Sequence, residues 1–165
     1  MEAIGFIFTG VLGTLLHFLF DWTGGNVVVG LFSAVNESIW EHMKLLFYPM
    51  LLWALLRWRK DGGGCYWWRK LLSILLGLTL IPVLYYTYTG LLGVNADWFN
   101  VTIFFLAAGV AFYLEYRLEK RLRSCPDQKW AVVALVGIAV LFTVFTFWTP
   151  QIPFFQDPIT GSYGL

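Results

Sequence analysis

Charge is scarce in this chain. Only 13% of its 165 residues are charged, against about 25% in an ordinary soluble domain, which argues against a solvated globule. Cysteine and histidine are scarcer still, at two each. Two cysteines without CxxC spacing give no zinc-ribbon or redox-motif pattern. No strongly basic segment is interleaved with aromatics, so a nucleic-acid surface is excluded. What remains is apolar: 59% of the residues are hydrophobic and 19% aromatic, with nine tryptophans and eight tyrosines. Aromatics in that number suit the interface belts of a membrane protein. The length allows one compact unit and no separate soluble domain.

Crossing about 30 Å of hydrocarbon takes roughly 17–25 apolar residues in a helix. Five segments qualify, residues 3–20, 39–58, 71–88, 98–115 and 130–148. All five are expected to be helices, because an open sheet edge has no partner in lipid. Pro49 and Pro82 fall inside the second and third and should kink them. The first run lacks a basic leader and a small-residue cleavage site, so it is read as a retained span. The expected architecture is all-α: a five-helix transmembrane domain over residues 1–149, followed by an extracytoplasmic Pro/Gly-rich tail at 150–165.

Ten of the eleven Lys and Arg residues fall in two inter-span loops on one side, Arg57 to Lys70 and Arg117 to Lys129. The positive-inside rule makes that side cytoplasmic, with the N-terminus inside and the C-terminus outside. Cys65 and Cys125 lie in those loops, where a reducing compartment favours free thiols over a disulfide. The outer side is the inverse. It gathers Asp21, Glu37, Glu41, Asp97, Asp157 and both histidines, opposed only by Lys44.

His17 and Asp21 are four apart and share a face of the first helix, continued inward by Gly10, Gly13 and Thr14. On the second helix, Ser33, Glu37, Glu41, Lys44 and Tyr48 form a stripe at helical spacing, with Ser38 and His42 on an adjacent strip. Either Ser33 or Asn36 can cap the start. A short glycine-rich connector makes the two helices antiparallel neighbours. The expectation is an inward-facing pocket of His17, Asp21, Asn36, Glu37, Ser38, Glu41, His42 and Lys44, with a Lys44–Glu41 bridge as its first pairing. The tail, rich in proline and glycine, either frays or plugs the outer mouth, and in the second case Asp157 and Tyr163 join the pocket. Tyr85, Tyr86 and Tyr88 end the third span on the same side.

HFLFDW at 17–22, GLFSAVNESIWEHMKLLFYP at 30–49 and DPITGSYG at 157–164 together resemble a bacterial membrane-protein family, domain of unknown function 6512. The resemblance implies a small multi-pass protein of the bacterial cytoplasmic (inner) membrane and brings no activity with it. The ceramidase-like hydrolases, which hold zinc with three histidines and an aspartate, are not matched by a chain with two histidines.

Three functions fit such a pocket. The first is binding or transport of a cation or small solute, since carboxylates and imidazoles within a span mark ion pathways. The second is a membrane-embedded hydrolase acting on a lipid or lipid-linked substrate. There a divalent cation such as Zn²⁺ would be held by His17, Asp21 and His42, with Glu37 or Glu41 as base. The third is a structural partner protein. The bilayer is the one certain partner; five spans show no internal repeat, and a homo-oligomer would supply the missing symmetry.

Overall fold

A computed structural model describes residues 2–165 as six helices with no strand among the described residues. They are α1 (Glu2–Trp22), α2 (Val27–Gly30), α3 (Ile39–Asp61), α4 (Tyr66–Leu92), α5 (Asp97–Arg121) and α6 (Gln128–Phe147). Each expected span corresponds to one long helix; most run a few residues past the apolar run, whereas α6 ends at Phe147. Both prolines lie within helices, Pro49 in α3 and Pro82 in α4. α2 was hidden in the connector: Asn26 caps it by accepting from Val28 N at 2.9 Å. Gly93, at φ 67°, ends α4 in the left-handed conformation that glycine adopts without strain.

Four helices, α1, α4, α5 and α6, are long and apolar enough to cross a membrane, which makes this a multi-pass membrane protein. Their outward faces agree. Ile4, Ile7, Val11 and Leu15 of α1 are exposed, as are Val133, Val136 and Val140 of α6, an arrangement stable only when lipid is the solvent. α3 is equally long but carries Glu41, His42 and Lys44 in its first turns.

α3 runs through the middle, packed on α1, α4 and α6, while α4 lies along α5 and α5 along α1. Leu46, Phe47, Ile74, Leu135 and Phe142 fill the centre. Small residues set the helix spacing: a β-carbon on Gly77 of α4 would stand 2.6 Å from Leu46. At the basic end, Lys70 pairs with Glu115 in the interior, Arg57 with Asp61 at 2.7 Å, and Tyr66 donates to the Ala54 carbonyl at 2.6 Å.

The expectation of free thiols is overturned: Cys65 and Cys125 form a disulfide, with no free cysteine in the chain. Sixty residues separate them. The reason is spatial. Cys65 stands at the start of α4 and Cys125 just before α6, two neighbouring helices that begin at the same end of the bundle.

The tail is not frayed. The Leu165 amide donates to the Thr146 carbonyl at 2.9 Å, Gln156 and Tyr163 form an antiparallel bridge, and Phe155 is buried.

Candidate functional site

The outer end of α3 is set by Ser38, whose Oγ accepts from the Glu41 amide at 3.3 Å. Neither Ser33 nor Asn36 is the cap: Ser33 Oγ donates to the Val29 carbonyl, and Asn36 lies two residues before the helix-capping serine. This shift of the cap separates residues that helical spacing grouped together. Glu37 precedes the cap, leaves the expected stripe with Glu41, and turns towards His42 instead. The single expected pocket therefore becomes two polar groups.

The first is enclosed. Glu41 and Lys44 are 1% and 0% exposed and form the expected ion pair. Lys44 Nζ also donates to the Gly30 carbonyl at 2.8 Å and to Thr146 Oγ1 at 3.1 Å, and Glu41 Oε2 accepts from the Val35 amide at 3.1 Å. Thr146 Oγ1 lies 3.1 Å from Glu41 Oε1. The pair ties α3, α6 and the α2–α3 connector together, and its hydrogen bonds offset part of the cost of desolvating two charges.

The second is half-exposed. His17 of α1 and His42 of α3 face each other with ring centroids 5.3 Å apart. Glu37 lies between them, Oε1 3.7 Å from His17 Nε2 and Oε2 3.4 Å from His42 Nε2. Each of the three offers one donor atom, all within 4.8 Å of one another. Asp21, four residues beyond His17, is exposed and outside this trio.

His42 Nδ1 is 2.9 Å from the Ser38 carbonyl oxygen, an acceptor only, so Nδ1 carries the proton of that hydrogen bond. Nε2 then points at a carboxylate. A bare lone pair there would face negative charge, so Nε2 carries a second proton or shares a cation with Glu37. The hydrogen bond from His42 holds the Glu37 carboxyl below its ordinary range, with both imidazoles adding to the effect and burial opposing it. His17 Nδ1 is buried without a protein partner, so no protein acceptor fixes that ring.

The tail completes this end. Asn36 Nδ2 donates to the Gly164 carbonyl at 3.2 Å, and its Oδ1 accepts from the Ser38 amide at 3.0 Å. Asp157 is buried; Oδ2 accepts from the Glu37 amide at 3.5 Å and Oδ1 from the Ile159 amide at 2.7 Å. Burial raises the Asp157 carboxyl, but the amides of Ile159 and Thr160 win and hold it below the usual range. Tyr163 sits in the bridge to Gln156.

Beside the trio lies a cavity of about 440 Å³, open at the side, bounded by His17, Glu37, His42, Asp97, Asn100 and the rings of Phe104 and Phe105. Asp97 and Asn100 were missed as site residues; their one signal was position, at the outer start of α5. Tyr88 donates to Asn100 Oδ1 at 2.5 Å, which steadies that side chain, and Tyr85 borders the adjoining hollow. Thr146 had no signal at all.

The model of DUF6512, a family of unknown function, matches residues 1–165. No curated protein and no solved structure matches the chain.

Proposed function

Because this chain belongs to DUF6512, a family of unknown function, we propose its role from its own residues: it is a five-span protein of the bacterial inner membrane that binds a divalent transition-metal ion at its outer end. The ligands are His17 Nε2, His42 Nε2 and a Glu37 oxygen. The observation that carries this reading is the carboxylate held between two imidazole Nε2 atoms, one of them fixed from behind by the Ser38 carbonyl. Backing of a ligand imidazole by a carbonyl is the usual device for orienting it. Two nitrogens and a carboxylate suit zinc and its borderline neighbours better than calcium or magnesium. Zinc bonds of about 2.0–2.1 Å in a tetrahedron put ligand atoms about 3.3 Å apart; here one donor atom from each residue lies within 4.8 Å of the others, a spread that small side-chain rotations can close. Three protein ligands leave one position open.

α3 is the fifth span in this reading. It has 23 residues, and its charged pair is enclosed by protein, which removes the objection to placing it in lipid. The basic end then lies inside and residues 150–165 outside. Charge and the disulfide pull in opposite directions here, since the cytoplasm favours thiols. Charge decides, because it acts on every loop during insertion, whereas a single disulfide needs only two sulfurs in reach. The trio is half-exposed at the outer end, and the Glu41–Lys44–Thr146 group beside it is closed by its own pairing, which favours binding at the outer end over passage through the bundle.

The test is metal content of purified protein after exposure to zinc and washing. One equivalent in the wild type, lost in His17→Ala and in His42→Ala and weakened in Glu37→Gln, is the expected result. Equal metal in wild type and both histidine variants overturns the reading. Reporter fusions at residues 62–64 and 122–127 test the orientation.

A further inference from the structure

The cavity beside the trio changes character along its length. At the outer end it is walled by His17, Glu37, His42 and Asn100; deeper, by Leu45, Phe104 and Phe105. Its side is open between α1 and α5, where Phe18, Val101 and Phe105 are all exposed. Both helices are long and apolar enough to lie in the bilayer, so the part of the opening flanked by Phe18, Val101 and Phe105 borders hydrocarbon. A polar end at the interface and an apolar trough running into the membrane match one class of molecule, an amphiphile lying parallel to the helices.

Resting on the metal reading above, we infer that this groove seats a single-chain amphiphile whose carboxylate or phosphate oxygen takes the open position on the ion while its acyl chain lies between Val101, Phe104 and Phe105. Three observations converge. A tetrahedral ion held by three protein atoms accepts a fourth, and an anionic oxygen is an ordinary fourth ligand for zinc. The cavity of about 440 Å³ lies near the lower end of the roughly 300–1,000 Å³ that small-molecule sites occupy, a size for one chain and not for a lipid with several. The third is access. The ligand enters sideways from the bilayer, so its chain never crosses water. Asp97 stands at the rim, exposed, where solvent and salt screen its charge from the headgroup. Ile159 of the tail borders the polar end and limits the headgroup on its outer side.

The probe is laurate added to cobalt-loaded protein in nanodiscs, with cobalt as the visible stand-in for zinc and acetate as the chainless control. Laurate is expected to shift the cobalt absorption bands. In Val101→Trp, which fills the trough, laurate should bind at least tenfold more weakly while acetate binds as before. A diazirine-bearing fatty acid provides a readout independent of any variant, with cross-links expected on Val101, Phe104 and Phe105. If cobalt binds but laurate affinity is the same in both proteins, or cross-links spread evenly over the exposed apolar faces, the amphiphile is overturned and the metal site stands. If cobalt itself does not bind, the metal reading falls and takes this inference with it.

Discussion

Gly13 of α1 lies against the carbonyl of Leu45 in α3: a β-carbon on that glycine would stand 2.6 Å from the oxygen and 2.7 Å from Phe104. Pro49, four residues after Leu45, has no amide hydrogen to give to that carbonyl. The missing bond in α3 and the missing side chain in α1 thus meet at one point, just below the histidines. Gly13→Ala should destabilise the protein by about 1–3 kcal/mol through overpacking. Gly137→Ala is the control, because nothing lies within 4 Å of its β-position, and loss of glycine's chain entropy should leave stability equal or about 0.5–1 kcal/mol higher. Thermal unfolding in detergent distinguishes the two.

Glu41→Gln and Lys44→Met should each be severely destabilising, by about 3–5 kcal/mol, because each strands a buried charge. The double variant should recover a large part of that loss. Recovery is the informative result: a pair that serves packing tolerates joint neutralisation, and metal content should be retained in the double variant if the ion sits on the other polar group. Denaturation midpoints with parallel metal analysis read both.

Metal affinity should fall as the pH drops through the range in which imidazoles take up a proton, since a ligand imidazole must be neutral at the donor nitrogen. Glu37, whose carboxyl is held low, remains ionised through that window and contributes to the loss only in stronger acid. A binding curve that first weakens near the carboxylate range would contradict two histidine ligands. Cobalt titrations between pH 8 and pH 4 supply the measurement.

Asp157→Ala should loosen the tail. It frees the Ile159 and Thr160 amides and the Glu37 amide at once, at a cost of about 1.5–3 kcal/mol for the loss of hydrogen bonds to a charged group. Because the folded carboxyl is held below its ordinary value, its contribution is complete above that value and disappears as the pH falls through the lower, folded one. Limited proteolysis at residues 150–165 should accelerate in the variant at neutral pH, and in the wild type only in strong acid.

Reduction of Cys65–Cys125 should lower stability by about 3–4.7 kcal/mol if loop closure in the unfolded chain dominates, given the 60-residue separation. Alkylation of purified protein should label no thiol before reduction and two after it.

Much of the fold was legible because hydrocarbon imposes a simple demand: long apolar runs marked every major helix, and the Lys44–Glu41 pairing followed from spacing three residues apart on one of them. The site was less legible because it depends on where α3 begins. Ser33, Asn36 and Ser38 are all competent caps, and choosing the third moves Glu37 off the helix and beside His42. A one-turn ambiguity thereby changed which acid meets the imidazoles, and Asp21, so well placed by spacing, was left exposed. Thr146 and the disulfide were invisible for a different reason. Each depends on which helices are neighbours, and apolar runs say nothing about neighbours. The short glycine-rich connector concealed α2 because four residues carry too little periodicity to reveal a turn of helix.

The outer border of the trio comes from a segment that follows α6 in the chain. Asp157, Ile159 and Gly164 reach Glu37, the cavity and Asn36 only after all six helices have been synthesised. Until that segment is made, the contacts of Asp157 and Gly164 with Glu37 and Asn36 are absent. If the trio takes an ion as proposed, the order of translation sets an interval in which the ion can enter before the tail docks.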